Sequence, residues 1–186
     1  MIYIDEHIND FDLQAALQEI SEQRREQALR FTHEFGQRTC VLAYLLLKRA
    51  LREEYGITEN PIFEYSEHGK PSIAGHPDIH FNLSHCRKAV ACAVSDHPVG
   101  IDIETIREFN LPLINHTMNV VELQQMLEAA RPEVEFTRLW TMKEARLKLT
   151  GEGINRELKT VLLEQPAKKY TTVECLEQGY IYTVCE

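Results

Sequence analysis

Apolar residues near the start of the chain recur at the spacing of an amphipathic helix. Four of them stand at i, i+3, i+4 and i+7, namely Leu13, Ala16, Leu17 and Ile20. Asp12 precedes the first of them, and an aspartate there accepts hydrogen bonds from the free amides of a first helical turn. The pattern predicts a helix that begins after Asp12, preceded by a short strand at residues 2–4.

A second helix is predicted from near Gln37 to about Tyr55. Its segment Val41–Leu47 is apolar on every face, which is typical of a buried helix, and Gly56 is a natural stop. Two further helices are predicted later in the chain, over Val120–Ala130 and Glu133–Leu149.

Short segments rich in β-branched and aromatic residues lie between the helices. Four of them are separated by turn-forming residues, which favours an antiparallel sheet: Ile62–Tyr65, Ile79–Leu83, Ala89–Val94 and Val99–Glu104. The turns are expected at residues 68–71, 75–77, 84–85 and 96–98. A closing hairpin is predicted from Tyr170–Cys175 and Tyr180–Cys185. This order predicts an α+β fold with two comparable halves that meet near residues 98–104.

The charge and the apolar content of the chain exclude several classes of protein. The chain has 186 residues with 20 basic and 29 acidic side chains, a net charge of −9, which argues against general binding to nucleic acids or anionic membranes. The longest apolar run, Val41–Leu47, is far too short to span a bilayer, and no secretion signal is visible at the start. We therefore expect a cytoplasmic protein whose five cysteines are reduced.

The strand Val99–Glu104 carries the first residues that suggest chemistry. Alternate side chains of a strand face the same way, so Asp102 and Glu104 project together, with Cα atoms about 7 Å apart. Both carboxylates can then reach one cation, and Gly100 beside them leaves room for a ligand close to the backbone. A solvated polar strand face is the alternative.

The helix Glu133–Leu149 carries the second set. Trp140, Glu144 and Lys148 stand at i, i+4 and i+8, so they share one face. An ordinary surface Glu–Lys pair is the alternative, although the only tryptophan of the chain beside it favours burial. If Glu144 meets the strand carboxylates, each pair of like charges 5 Å apart costs about 3 kcal/mol at an effective dielectric near 20. A divalent ion such as Mg²⁺, shared with substrate phosphates, would offset that repulsion.

The motifs together resemble one family. Residues 100–104, Gly-Ile-Asp-Ile-Glu, and residues 140–148, Trp-Thr-Met-Lys-Glu-Ala-Arg-Leu-Lys, are similar to the paired signature of 4′-phosphopantetheinyl transferases. The larger, surfactin-synthetase-type members also show Gly-Lys-Pro as at 69–71 and Phe-Asn-Leu-Ser-His as at 81–85. Arg-Thr at 38–39 and Gly-Glu-Gly at 151–153 match as well. The resemblance extends from about Arg24 to Gly153.

The resemblance implies a fold and an activity. The fold would have two similar halves, residues 1–98 and 99–186, each an antiparallel sheet packed with a long helix and related by a pseudo-twofold axis. The enzyme would move the phosphopantetheine arm of coenzyme A onto a serine of an acyl or peptidyl carrier protein, with Mg²⁺, and release adenosine 3′,5′-bisphosphate. The N-terminal half would contact the nucleotide, and the C-terminal half would carry the metal and the catalytic helix. Since one chain would form the whole cleft, a monomer is expected.

The resemblance also implies roles for single residues. Asp102, Glu104 and Glu144 match metal ligands, Glu122 matches an acid that assists them, and Lys148 matches the lysine near the transferred phosphate. Six residues match coenzyme A contacts: Arg24, Arg38, Thr39, Lys70, Ser84 and His85. Of these, His85 and Arg38 are expected near the 3′-phosphate. Either Glu144 or a water molecule on the metal would accept the serine proton.

Some alternatives remain open at this point. Gln27 stands where some members place a lysine, so the basic patch at the nucleotide end is thinner here. The second hypothesis is a relative that binds coenzyme A or a carrier protein without transferring a group. A protein that only binds would not need the three acidic residues Asp102, Glu104 and Glu144. A different Mg²⁺-dependent phosphotransferase or phosphohydrolase is the third, and no Gly-rich Walker loop supports it. The carrier protein is not identified by the sequence.

Overall fold

The computed structural model describes residues 1–151, 157–163 and 168–186. Its helices are α1 (Leu13–Glu19), α2 (Glu22–Leu29), α3 (Glu34–Tyr55), α4 (Leu111–Thr117), α5 (Val120–Glu128) and α6 (Pro132–Thr150). Its strands are β1 (Ile2–Asp5), β2 (Phe63–Tyr65), β3 (Pro71–Ile73), β4 (His80–His85), β5 (Val90–Ser95), β6 (Gly100–Thr105), β7 (Tyr170–Cys175) and β8 (Tyr180–Cys185). A 3₁₀ turn covers Val161–Leu163.

The first three-stranded sheet has the order β1-β5-β4, and both of its pairings are antiparallel. The long helix α3 packs on it through a face that includes Val41, Leu47 and Leu51, none of which is exposed to solvent. Gly56 ends α3 in the left-handed conformation, with φ of 68°, which glycine adopts without steric cost. The predicted buried helix and its stop are therefore confirmed.

The second three-stranded sheet has the order β6-β8-β7, again antiparallel, and helix α6 packs on it. Gly100 makes this packing possible, because a Cβ atom there would lie 2.0 Å from the carbonyl oxygen of Ala145 and 2.5 Å from the amide nitrogen of Leu149. The prediction that Gly100 makes room for a ligand was wrong. Its missing side chain admits the backbone of α6.

Side chains rather than a backbone ladder connect β4 of the first sheet to β6 of the second. The amide of Ile101 donates to the Asn82 side-chain oxygen at 2.9 Å, and the amide of Ile103 donates to the Ser84 hydroxyl at 3.3 Å. All four residues are buried. We call this junction of Asn82 and Ser84 with β6 the seam.

The α+β class is confirmed, and each three-stranded sheet carries one long helix, whereas the pseudo-twofold relation stays an expectation. Three elements were missed: α2, α4 and β3. The turn predicted at Ser84–His85 was wrong, because both residues belong to β4 and the chain turns after them. All five cysteines are free thiols, as expected for reduced side chains. Among the described residues, no helix combines the length and the apolar character needed to cross a membrane.

Candidate active site

Asp102 and Glu104 project from the same face of β6, while Ile101 and Ile103, which alternate with them, are fully buried, as the alternation predicted. Asp102 is itself buried at 4% exposure. Its Oδ1 accepts hydrogen bonds from the Ser84 hydroxyl at 2.9 Å and from the Lys148 ammonium at 2.6 Å. One carboxylate oxygen of β6 thus binds both a hydroxyl of the seam and an ammonium from the last turn of α6.

Helix α6 brings Glu144 to the same place. Burial raises the pKa of Glu144, and the Asp102 charge raises it further, while Lys148 opposes the shift and Glu104 adds to it. Burial also raises the pKa of Glu104, followed by the Asp102 charge. The Asp102 charge therefore acts on both Glu104 and Glu144, which places the three carboxylates within electrostatic reach. Their role as ligands of one metal ion stays a prediction.

Trp140 completes the face of α6 that was predicted from the spacing of its residues. Its indole nitrogen lies 3.4 Å from Glu104 Oε1 and donates to it. The ring also stacks on Phe136 at 6.5 Å between centroids, with 12° between the planes. One face of α6 thus carries Trp140 against Glu104 and Lys148 against Asp102, with Glu144 between them. The alternative of a solvated surface pair does not describe this face.

Two carboxylate oxygens of the site are buried without a hydrogen-bond partner, Asp102 Oδ2 and Glu144 Oε1. Uncompensated buried carboxylate oxygens are costly, so a cation between them would be stabilising. Three acidic side chains face one ammonium here, which leaves net negative charge. In the part of the chain that the structure describes, no group of three or more His, Cys, Asp or Glu side chains is arranged to hold a metal ion as it stands. The donor chemistry fits Mg²⁺, and the side chains would have to turn toward one another to bind it.

A cavity of about 250 Å³ opens beside these residues. It is lined by His68, Gly69, Lys70, Pro71, Asn82, Glu144, Leu147, Lys148 and Gly151. A second cavity of about 300 Å³ shares Gly69, Pro71 and Asn82 with it and continues to Arg24, Gln27, Thr39, Ser84 and His85. We call the two cavities together the groove. Glu144 and Lys148 line one end of the groove, whereas Glu104 lines a separate small cavity with Trp140.

Arg24 lies at the other end of the groove. The guanidinium donates to the Cys40 carbonyl from Nε at 3.1 Å and from Nη2 at 2.8 Å, and to the Gln27 side-chain oxygen at 2.9 Å. It also lies over the rings of Tyr44 and Phe63, 6.0 and 5.8 Å from their centroids. Arg24 is therefore a buried, oriented cation.

Three other predicted contacts of coenzyme A line the same cavity as Arg24: Thr39, Ser84 and His85. Part of His85 stays exposed at the mouth of the groove. Its pKa is nevertheless lowered, first by burial, then by the Lys148 and Arg24 charges, against an opposing effect of Asp102. His85 is thus within reach of the Lys148 and Arg24 charges and is disposed to be neutral near pH 7.

Lys70 lines the first cavity but is also bound to α6. Its ammonium donates to the Leu149 carbonyl at 2.6 Å, and burial lowers its pKa. Gly151, which begins the predicted Gly-Glu-Gly motif, ends α6 with φ of 74°. The rest of that motif, Glu152 and Gly153, lies outside the described residues.

The structure does not bring Arg38 to the groove. Arg38 donates to Glu34 at 2.7 Å and to the Phe11 carbonyl at 2.9 Å, and it lines a separate cavity with Asp12 and Glu34. The expected pairing of Arg38 with His85 at one phosphate is therefore not seen in this arrangement. Arg24 is the arginine whose charge reaches His85.

Glu122 is engaged elsewhere too. Its Oε2 accepts from the fully buried Lys143 at 2.7 Å and from the backbone amide of Asn119 at 2.8 Å, which completes a capping box at the start of α5. Lys143 also donates to the Leu158 carbonyl at 2.7 Å. Glu122 thus joins α5 to α6, and its predicted assistance to the metal ligands stays a prediction.

Two residues of the site were missed at first. Asn82 lines both cavities and holds the seam, and its signal was its position two residues before Ser84 on an alternating strand. Lys143 is fully buried and donates to Glu122, and a lysine in a run with Glu144 and Arg146 gave no indication of burial.

The sequence of the chain is similar to those of known proteins. Residues 98–185 match the family model described as the 4′-phosphopantetheinyl transferase superfamily. The 4′-phosphopantetheinyl transferase psf-1 of Bacillus pumilus is 40% identical over 139 residues, which cover 73% of this chain and 60% of that protein. The chain therefore spans somewhat less than two thirds of that relative.

Other relatives are covered more completely. The 4′-phosphopantetheinyl transferase Sfp of Bacillus subtilis is 31% identical over 160 residues, covering 84% of this chain and 71% of Sfp. The 4′-phosphopantetheinyl transferase gsp of Aneurinibacillus migulanus is 30% identical over 198 residues, covering 98% of this chain and 81% of gsp. Both halves of the chain are thus matched, and the family that the motifs resembled is confirmed. The chain belongs to the 4′-phosphopantetheinyl transferase family and is a transferase.

Proposed function

We propose that the chain transfers the 4′-phosphopantetheine group of coenzyme A to a serine hydroxyl of an apo acyl or peptidyl carrier protein and releases adenosine 3′,5′-bisphosphate. The observation that carries this proposal is that Glu144 and Lys148 line one end of the groove while Lys148 is bound to the buried Asp102. The charges of Asp102 and Glu104 both act on Glu144. The other end of that groove has a buried arginine and three further polar side chains, Thr39, Ser84 and His85. An extended diphosphate nucleotide has the charge and length that this arrangement complements.

The reaction joins the serine oxygen to the β-phosphorus of coenzyme A and breaks the bond from that phosphorus to the oxygen of the leaving nucleotide. The serine loses its proton as the new bond forms. Glu144 is a suitable acceptor, because burial and the neighbouring Asp102 raise its pKa above that of an ordinary glutamate. Glu144 also lines the first cavity, so its side chain borders the space that the serine would enter.

Lys148 acts on the other side of the phosphorus. The leaving phosphate of the nucleotide gains negative charge, and the Lys148 ammonium, which also holds Ser84 at 2.8 Å, is placed to balance that charge or to donate a proton. Asp102 and Ser84 fix the position of Lys148. Asp102, Glu104 and Glu144 would hold Mg²⁺, which when bound neutralises charge on the diphosphate oxygens.

The nucleotide end of coenzyme A would lie at Arg24. Its guanidinium is already oriented by Cys40 and Gln27, and the free N–H groups that remain can donate to a phosphate. His85, Ser84 and Thr39 line the same cavity and add polar side chains. Because Arg38 lies in a separate cavity, we propose Arg24 with His85 as the principal contacts of the 3′-phosphate.

One chain supplies both ends of the groove, so we propose that the enzyme acts as a monomer. Residues 1–98 would supply the contacts to the nucleotide, and residues 99–186 would supply the acidic site. The proposal does not depend on which carrier protein is used, since all such carriers present a serine on a small helical bundle.

Incubation with coenzyme A, Mg²⁺ and a panel of apo-carrier proteins, followed by intact-mass measurement, tests the proposal. We expect at least one carrier to gain the mass of one phosphopantetheine group, and the gain to disappear when Mg²⁺ is chelated. Binding of coenzyme A without any carrier adduct would indicate a non-catalytic binder. Cleavage of coenzyme A in the absence of a carrier would indicate a phosphohydrolase. Either of these results overturns the proposal.

A further inference from the structure

The hairpin of β2 and β3 reaches across the groove to the end of α6. It forms a two-stranded sheet of its own, and the tip between its strands carries Lys70. The Lys70 ammonium donates to the carbonyl of Leu149 at 2.6 Å. Leu149 follows Lys148 directly in the chain. The hairpin and the catalytic end of α6 are therefore connected by one charged hydrogen bond.

The bond satisfies a group that a helix end leaves open. The last four carbonyls of a helix lack an intrahelical donor, and a cation there also complements the negative end of the helix dipole. Among the last carbonyls of α6, that of Leu147 accepts from the amide of Gly151 at 2.9 Å and from the Thr150 hydroxyl at 3.2 Å. The carbonyl of Leu149 is served by Lys70 from a distant part of the chain.

The stem of Lys70 packs on Gly151 as well. A Cβ atom on Gly151 would lie 2.9 Å from Lys70 Cδ and 3.3 Å from Lys70 Cβ. Glycine at this position therefore serves two purposes, since it allows the left-handed turn that ends α6 and gives Lys70 room to lie across it. The methylene stem and the ammonium together hold the hairpin against this turn.

From these contacts we infer that Lys70 is a positioning residue, which holds the last turn of α6, and with it Lys148, in place against the wall of the groove. This inference rests on the proposed function for its effect on turnover, but the contact itself is independent of it. In this role Lys70 acts through Lys148 and the hairpin in the free enzyme, before any coenzyme A is bound. A lysine that only contacts the ligand would not affect the free enzyme.

Hydrogen–deuterium exchange of the ligand-free protein tests the inference. In Lys70→Met, which keeps the stem and removes the ammonium, we expect exchange in residues 63–73 and 147–151 to become roughly two- to tenfold faster, as for loss of one hydrogen bond. We also expect kcat to fall about tenfold, since small displacements of a catalytic group are costly. Lys70→Arg, which restores a donor, should recover most of both.

Gly151→Ala is the second probe, and Gly179→Ala is its matched control. Both glycines have positive φ, 74° and 80°, but space around the Gly179 position is open, whereas Lys70 fills it at Gly151. If the inference holds, only Gly151→Ala speeds exchange in the hairpin 63–73. Unchanged exchange of the free protein in Lys70→Met, with a higher KM for coenzyme A alone, would overturn the inference and leave the proposed transferase function intact. Equal hairpin exchange in the two alanine variants would overturn it as well.

Discussion

Lys148 Nζ lies 2.6 Å from Asp102 Oδ1, which joins the last turn of α6 to the middle of β6. The Asp102 side chain is 5% exposed and that of Lys148 is 28% exposed, so the pair is formed at the inner edge of the groove. Its geometry leaves the second oxygen of Asp102 without a partner. The ammonium thus compensates only part of the acidic charge, and the remainder is available for a cation and a phosphorylated substrate.

Replacement of Lys148 by methionine should reduce kcat by about 10²- to 10³-fold, the usual loss when one preorganised electrostatic contact to a transition state is removed. The protein should fold with a lower thermal transition, because methionine retains the stem but the buried Asp102 carboxylate loses its ammonium partner. Transfer rates from intact mass and the thermal transition of the variant measure the two effects. Lys169→Met is the control, since Lys169 forms an exposed pair with Glu186 at 3.4 Å, outside the groove. A wild-type kcat in Lys148→Met would remove this residue from the mechanism.

Ser84→Ala should destabilise the seam. Without the hydroxyl, the buried amide of Ile103 loses its partner and Asp102 loses one of its two donors. Leaving a buried donor unpaired costs about 1–3 kcal/mol in the free energy of unfolding. Chemical denaturation measures this loss, and Ser72→Ala, at an exposed position of β3, provides the comparison. If both variants unfold at the same denaturant concentration, the hydroxyl of Ser84 does not hold the sheets together.

Arg24→Gln and Arg38→Gln test which of the two arginines contacts coenzyme A. The motifs assign a contact to both, whereas the structure places only Arg24 in the groove. The guanidinium of Arg24 lines the groove, whereas that of Arg38 points to Glu34 and Phe11 in a different cavity. We expect Arg24→Gln to raise the KM for coenzyme A by about tenfold or more, as for loss of a charged hydrogen bond to phosphate. Arg38→Gln should have a clearly smaller effect. A larger effect of Arg38→Gln would show that the nucleotide end lies elsewhere.

His85 should titrate below the ordinary histidine value of 6.5 in the free protein. Because its pKa is lower in the folded than in the unfolded state, neutral His85 contributes stability above pH 6.5, and that contribution is lost as the pH falls through the lower folded value. A phosphate beside the imidazole favours the charged form, so adenosine 3′,5′-bisphosphate should raise the pKa of His85. NMR titration of its ring signal, assigned with His85→Gln, follows both effects. A free-protein pKa at or above 6.5, or no change with ligand, contradicts the proposed contact.

The elements with strong periodicity were predictable from the sequence. The closing hairpin has the predicted bounds Tyr170–Cys175 and Tyr180–Cys185, and α6 differs from its prediction by one residue at each end. In each case the alternation or the helical repeat of apolar residues records which face is buried. The face of Trp140, Glu144 and Lys148 was predictable for the same reason.

Helix α2 was not predictable in this way, because its buried residues are Arg24 and Ala28. A helix that buries an arginine has no apolar stripe by which its sequence could be recognised. The position of the Arg24 guanidinium is set by Cys40, Tyr44 and Phe63, which belong to other elements. The seam was not predictable either, because it too depends on contacts between residues that are distant in the chain. Whether Ser84 ends a strand or begins a turn is decided by its contacts with β6, which no local pattern contains.

The most direct test of the central claim compares the wild-type enzyme with Asp102→Asn, in which the carboxylate becomes an amide of the same size. Both are incubated with coenzyme A, an accepted apo-carrier and increasing Mg²⁺, and the carrier is weighed by intact-mass spectrometry. The account predicts that the wild type adds one phosphopantetheine group in a Mg²⁺-dependent manner, and that a folded Asp102→Asn protein is at least about 10²-fold slower at every Mg²⁺ concentration. Transfer by the folded variant at the wild-type rate would contradict it.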